Sequence, residues 1–253
     1  MNDSVLVDLI QLRRSCAQCS LQQLCLPAGI GQSDMETLDR MVRRRRPLAQ
    51  SERLFRIGSP LEALYVAREG AFKTVSINDD GEEQIIGFHL PGELIGLDAL
   101  GSGKHRCEAE ALGPAQVCEV PLEALTEISQ QIPGLQAQLL RVIGLSVDRD
   151  QDHLEMMGRR QATERIALFL HGLSERYQRL GHSGTDFSLP MSREDIARYL
   201  GMVIETVSRA FTKLQDDGFI KVRGRKLHIP DLAALTALAH GQQVAPPGVK
   251  RAG

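Results

Sequence analysis

The chain has no run of about 18 apolar residues, which excludes a membrane-spanning helix. Its start, MNDSVLVDLIQLRRSC, lacks a basic stretch followed by an apolar one, so no secretory signal is expected and the chain is read as cytoplasmic. Net charge is scarce: 30 Lys plus Arg oppose 32 Asp plus Glu, leaving −2. That balance argues against a generic polyanion binder and leaves room for a local basic site. No phosphate-cradling glycine loop and no nucleophile–base constellation stands out, so an enzyme is not expected. Tryptophan is absent and aromatics reach only 4%, yet 42% apolar residues over 253 positions suffice for at least one sizeable core.

Cysteine is sparse but unevenly placed. There are five, an odd number, and Cys16, Cys19 and Cys25 fall within ten residues. In a cytosolic chain such crowding points to metal binding or redox chemistry rather than a disulfide framework.

Residues 1–28 form a cysteine-bearing segment with little periodicity, closed by Pro27 and Gly29. A domain over 29–133 follows. It opens with a helix over 33–46, capped by Ser33 with Glu36 at the capping-box offset. The run Arg43 to Arg46 reads as its solvated end rather than a nucleic-acid patch. Turn glycines then fall at 58, 70, 81 and 92, separating ALYVA, FKTVSI and QIIGFHL, with AQVCEVPL further on. Short strands at this spacing predict a sandwich or barrel. His89 is expected in a turn.

After Pro121 the texture becomes helical. LEALTEISQQI is a short helix ended by Pro133-Gly134, and residues 134–160 form one long helix. Its Leu140, Ile143, Val147, Asp150, Leu154 and Met157 step by 3, 4, 3, 4, 3, the seam of a dimerisation helix rather than of one packed on its own domain. Residues 161–240 read as a winged helix-turn-helix. Ser192 caps its first helix with Asp195 at the box offset, Gly201 makes the turn, and a second helix spans about 203–217. FIKV and KLHI flank Arg223-Gly224-Arg225 as a wing. Residues 241–253 have no core-forming content and are expected to be a disordered tail. The fold class is α+β.

The second helix has two faces. Val207, Ala210, Phe211 and Leu214 form an apolar stripe that packs on Ile196, Ala197 and Leu200. Glu205, Ser208, Arg209 and Thr212 lie opposite. Arg grips guanine at two points and Glu accepts from the cytosine amino group, as a recognition helix requires. Glu205 and Arg209 are also spaced to brace one another. Ile204 is either partly buried or touches a thymine methyl. Val203 stands where Ser or Thr would cap better. Residues 161–240 hold 11 basic against 9 acidic residues, a net of +2, with Lys213, Lys221, Arg223, Arg225 and Lys226 near the wing for phosphate contacts.

Spacing alone leaves the cysteine ligand set open. Three thiolates on a short segment need a fourth, and Cys107 and Cys118 are both candidates; four thiolates suit an iron–sulfur cluster or structural zinc.

In CAQCSLQQLC, GFHLPGELIGLDALGSG, QVCEVP, DQD and YLGMVIETVSR, nearly the whole chain resembles the family of the cAMP receptor protein and the fumarate and nitrate reduction regulators, most closely the anaerobic-regulator branch. The resemblance implies a β-roll sensor, a dimerisation helix and a winged helix-turn-helix. It implies a 4Fe–4S cluster on Cys16, Cys19, Cys25 and Cys118 that oxygen degrades, with Cys107 a small buried residue. Leu21, Leu24 and Leu26 would give the cluster a thin apolar cover, and Ser20 could donate to it. It implies that Asp150 guards dimerisation by repelling its twin. Binding is then to double-stranded DNA at inverted TTGAT-like half-sites, through Ile204, Glu205, Ser208, Arg209, Thr212, Lys221 and Arg223, with RNA polymerase as a further partner. The chain departs from nucleotide-binding members: Leu97 replaces their Glu after Gly96, and His105-Arg106-Cys107-Glu108 replaces their Arg-Ser/Thr-Ala stretch, so no cyclic nucleotide is expected. Two other functions remain to be separated from this one. One is a β-roll regulator sensing a small molecule, with zinc or redox thiols. The other is a thiol oxidoreductase using Cys16 and Cys19, against which stands the lack of a thioredoxin-like βαβ pattern.

Overall fold

The computed structural model describes residues 16, 19–28, 30–44, 46–78, 80–159 and 161–242. Most of the expected tail and of the N-terminal segment therefore lies outside the described residues.

Helix α1 (Gln32–Met41) begins with Gly31, not Ser33, at its cap position. It ends five residues before the predicted 46, because Arg43–Arg44 leave the helix as strand β1, antiparallel to the strand that carries Cys118. The basic run is thus not a helix end. Four successive arginines offer no apolar side chain to hold a helix on the core, whereas the backbone gains ladder partners.

Strands β2 (Arg53–Phe55), β3 (Ala63–Glu69), β4 (Phe72–Ile77), β5 (Glu83–His89), β6 (Leu94–Ile95), β7 (Glu108–Ala111) and β8 (Gln116–Pro121) complete a β-roll. Its two antiparallel sheets run β1-β8-β3-β6 and β2-β7-β4-β5. His89 closes β5 rather than sitting in a turn. The period of two sorts β3 between two cores. Ala63, Tyr65 and Ala67 point between the sheets with Phe72 and Ile95. Leu64 and Val66 point outward to Leu38, Leu125 and Leu135. The same parity governs β8: Val117 faces inward, while Cys118 and Val120 face the outer core.

Helix α2 (Leu122–Gln131) leads into α3 (Pro133–Gly158), where Pro133 occupies the first turn and costs no hydrogen bond. Leu135, Gln138 and Val142 are buried toward the roll. Along the predicted seam, Leu140, Val147, Leu154 and Met157 are 65, 48, 73 and 36% exposed. Ile143 is half-buried and Asp150 exposed.

The C-terminal part comprises α4 (Ala162–Arg179), β9 (Asp186–Ser188), α5 (Arg193–Leu200), α6 (Ile204–Asp216), β10 (Lys221–Arg223), β11 (Lys226–His228) and α7 (Leu232–Ala239). The wing is a three-stranded sheet, β10-β11-β9, one strand more than the sequence predicts. Val207, Ala210, Phe211 and Leu214 are all buried, with Ile196, Ala197 and Leu200 beneath them. Each large member of such a stripe contributes about 1.5–3 kcal/mol. Among the described residues no helix is long and apolar enough to cross a membrane.

The capping box forms as its spacing predicts: Asp195 N–H donates to Ser192 Oγ at 3.0 Å, and Ser192 N–H donates to Asp195 Oδ2 at 2.8 Å. Asp195 also takes Lys73 Nζ of β4 at 3.1 Å, so this cap anchors the helix-turn-helix to the roll. Ser192→Ala is expected to cost about 1 kcal/mol, a drop in Tm of about 2–4 °C in thermal unfolding.

Candidate functional site

The cysteine segment is wound by successive turns. Cys19 N–H donates to the Cys16 carbonyl at 3.2 Å, Cys25 N–H to the Leu21 carbonyl at 3.0 Å and Ala28 N–H to the Cys25 carbonyl at 3.1 Å. Cys16 N–H is held by Asp39 Oδ1 of α1 at 3.0 Å. From α3, the buried Gln138 donates through Nε2 to the Cys25 carbonyl at 2.9 Å. These bonds turn three thiols toward the outer face of β8. Cys16, Cys19, Cys25 and Cys118 line one cavity with Leu26, Leu38 and Val66. Burial pushes the Cys25 thiol far up, and the thiols of Cys118, Cys16 and Cys19 push it the same way. No carboxylate or imidazole is among the described residues lining this cavity. Among the described residues, no three His, Cys, Asp or Glu side chains are placed to bind a single metal ion. Leu21 and Leu26 are buried, Leu24 is half-buried and Ser20 is exposed.

Cys107 is elsewhere. It is 1% exposed in the core between the sheets, and burial, then the Asp98 charge, push its thiol up. Parity explains the separation: Cys118 is outward on its strand, whereas Cys107 points into the roll.

Asp98 organises the loop beside it. Its Oδ2 accepts from the N–H groups of Arg106 at 2.7 Å and Cys107 at 3.3 Å, and its Oδ1 meets His105 Nδ1 at 3.2 Å. With Leu97, Ile143 and Asp150 it lines a cavity between the roll and α3. The backbone N–H groups of Arg106 and Cys107 are therefore already taken by the chain's own carboxylate.

On α6, Glu205, Ser208, Arg209 and Thr212 are exposed, as are Lys221 and Arg223 of the wing. Ile204 is 43% exposed, which leaves its side chain on the surface rather than in the core. Val203 provides no side-chain cap. The brace between Glu205 and Arg209 does not form; instead Thr212 Oγ1 donates to the Ser208 carbonyl at 3.1 Å. Arg209 and Glu205 are left free for an outside partner.

Some functional contacts give no local signal. Glu93, between β5 and β6, accepts from Arg176 of α4 at 2.9 and 2.7 Å and stands 3.7 Å from Arg149 of α3. Burial alone would raise its carboxyl, but the Arg176 and Arg149 guanidiniums overcome this and hold it at about 2. Arg198 of α5 pairs with Glu83 of β5. At the end of α3, His153 stacks on Tyr199 of α5 with ring centroids 4.0 Å apart.

A β-roll carrying a thiol-lined cavity, a long helix with an exposed apolar seam and a winged helix with a free polar face together define a DNA-binding transcription regulator. The Crp-like helix-turn-helix domain family matches residues 164–238, and the cyclic nucleotide-binding domain family matches residues 45–131. The chain is 46% identical over 227 residues to the transcriptional activator protein Anr of Pseudomonas aeruginosa, covering 90% of this chain and 93% of that one. It is 39% identical over 231 residues to the fumarate and nitrate reduction regulatory protein of Escherichia coli K12, covering 91% and 92%. The structure of FixK2 from Bradyrhizobium japonicum superposes with a TM-score of 0.69 at 31% identity, covering 81% of this chain and 98% of that one. The chain belongs to the Crp/FNR family of transcription regulators. These relatives are regulators and not enzymes, in line with the sequence reading.

Proposed function

We propose that this protein is an oxygen-responsive transcription activator that holds a 4Fe–4S cluster on Cys16, Cys19, Cys25 and Cys118 and binds DNA as a homodimer when oxygen is low. The observation that carries this reading is the meeting of three segment thiols and one strand thiol in a single cavity tied by Gln138 to α3. The donor set fits: four thiols and no harder ligand suit such a cluster. When bound, the cluster supplies four iron–thiolate bonds and a sensitivity to oxygen that removes them.

The chain's own residues do the rest. Leu26 packs in one core with Leu135 and Val142 of α3, so the order of the cysteine segment is felt by the start of the dimer helix. A well-held helix start favours a seam geometry that tolerates Asp150 beside its twin. Loss of that order frees the segment, and repulsion at Asp150 returns the chain to monomers. A monomer loses the second half-site and most of its affinity. The bound dimer then works with RNA polymerase, in the cytoplasm. Leu97 and the occupied loop donors around Asp98 argue against a cyclic nucleotide.

The test is colour and composition. Anaerobically purified protein should be brown, contain iron and acid-labile sulfide in equal amounts, and bleach in air. Zinc without sulfide would instead favour a small-molecule regulator with a structural metal.

For base reading, Arg209 grips the guanine of a TTGAT-like half-site, Glu205 the cytosine opposite, and Ile204 or Ser208 touches thymine. Arg209→Ala is expected to cost about 1–3 kcal/mol and to lose preference at that base pair. Lys221→Ala or Arg223→Ala should weaken binding to all sequences alike and flatten its salt dependence. A titration over every single-base variant of the half-site separates the two; full guanine preference in Arg209→Ala would move the recognition face to other residues.

A further inference from the structure

A second cavity lies where the sensor, the dimer helix and the DNA-binding domain meet. It measures about 60 Å³ and is lined by Arg141 and Arg149 of α3, Arg176 and Arg179 of α4, Glu93 and Leu24 of the cysteine segment. That is room for several waters, or for one phosphate group. Four guanidiniums here face one carboxylate among the described lining residues. Glu93 is already committed: it accepts twice from Arg176 and once from Leu90 N–H at 2.9 Å. Arg176 also donates through Nη2 to the Phe88 carbonyl at 2.6 Å. Arg149 touches Glu93 only at 3.7 Å through Nη1, while its Nη2 is buried with no hydrogen-bond partner.

An orphaned buried guanidinium nitrogen is costly, since a buried donor without an acceptor forfeits its hydration. Burial, and after it the guanidiniums of Arg176 and Arg179, lower the Arg149 pKa against the opposing pull of the Glu93 and Asp150 carboxylates. Its lining thus carries three cationic charges in excess, with Asp150 and Asp152 acting on Arg149 and Arg179 from outside it. It has forked donors of the geometry that matches phosphate and, on one lining arginine, a buried donor without a partner.

We propose that this cavity binds a small phosphate-bearing anion, which ties α3 to α4 and so links the dimer helix to the DNA-binding domain. The site uses none of the cysteines; Leu24 is the one lining residue it takes from their segment. The anion completes Arg149 and bridges it to the exposed Arg141 and Arg179 at the rim.

The test is isothermal titration and thermal unfolding of the full chain without DNA, at constant ionic strength. Inorganic phosphate, pyrophosphate and a nucleoside monophosphate are the probes, against chloride. Wild type should show saturable binding and a rise in Tm with at least one probe, and the pattern among the three distinguishes free phosphate from a phosphate ester. Arg149→Gln should weaken binding at least tenfold. If that variant fails to fold, the exposed Arg179→Gln should do the same without loss of structure. A Lys221→Gln, Arg223→Gln double variant should leave the effect intact. The proposal is overturned by no chloride-corrected binding, by equal binding in the Arg179→Gln variant, or by a loss confined to the wing variant, which would place the anion on the DNA-binding face.

Discussion

Cys118→Ser protein purified without oxygen is expected to be colourless and to contain almost no iron or sulfide, while Cys107→Ser keeps both. The difference follows from strand parity. Cys118 points from β8 into the cavity shared by Cys16, Cys19 and Cys25, and a missing thiolate there leaves one iron unsaturated. Cys107 is 1% exposed between the sheets and cannot reach that cavity without unfolding the roll. Cys16→Ser, Cys19→Ser and Cys25→Ser should behave like Cys118→Ser. Visible spectra with iron and sulfide analysis decide it, and circular dichroism shows whether each variant keeps its fold. A colourless Cys107→Ser beside a brown Cys118→Ser would transfer the fourth ligand.

The second large effect is expected at Asp150. Asp150→Ala should dimerise and bind DNA in air, where the proposed function expects wild type to be monomeric. Two carboxylates brought to about 4 Å across a two-fold axis repel by about 1–4 kcal/mol, depending on how much water remains between them. Removing that repulsion strengthens the dimer by roughly fivefold to a thousandfold. Asp150 is exposed in the single chain, so its replacement disturbs no buried partner. What partial cover it has raises its pKa, against the pull of Arg149 and His153, and closing the seam would deepen that cover. Sedimentation of the aerobic variant is the measurement; a monomer indistinguishable from wild type would remove Asp150 from the mechanism.

The DNA-binding half was the most legible from sequence because its signals are short-range. Ser192 and Asp195 are three residues apart and cap as read. Gly201 adopts a left-handed φ of 61° at the turn, and the stripe from Val207 to Leu214 is buried as its spacing requires. FKTVSI is strand β4 over its full length. The misses share one cause, that the partner is distant in the chain. Arg43–Arg44 are a strand only because β8 offers a ladder more than seventy residues on. Nothing beside Gln138 marks it as the tether of the Cys25 carbonyl, which lies 113 positions away. Glu93 meets Arg176 across 83 positions, so a carboxylate in a turn gave no warning of the ion pair. Among the site residues, the cysteine trio was visible as a cluster, but spacing could not choose its fourth member; only β8 parity separates the two candidates.

Helix α3 touches the cysteine segment through Gln138 at one end and the helix-turn-helix at the other, where a side chain on Gly201 would stand 2.7 Å from Met157 Cε. These two contacts are nineteen residues apart, about 28 Å along the axis. A helix of this kind fixes angle as well as distance. One residue inserted between them would swing Met157 about 100° away from the turn it covers, and the shortest insertion that returns it to within about 20° of the same bearing is seven residues. The length of α3 is therefore a phase setting, a constraint separate from the identity of any residue along it.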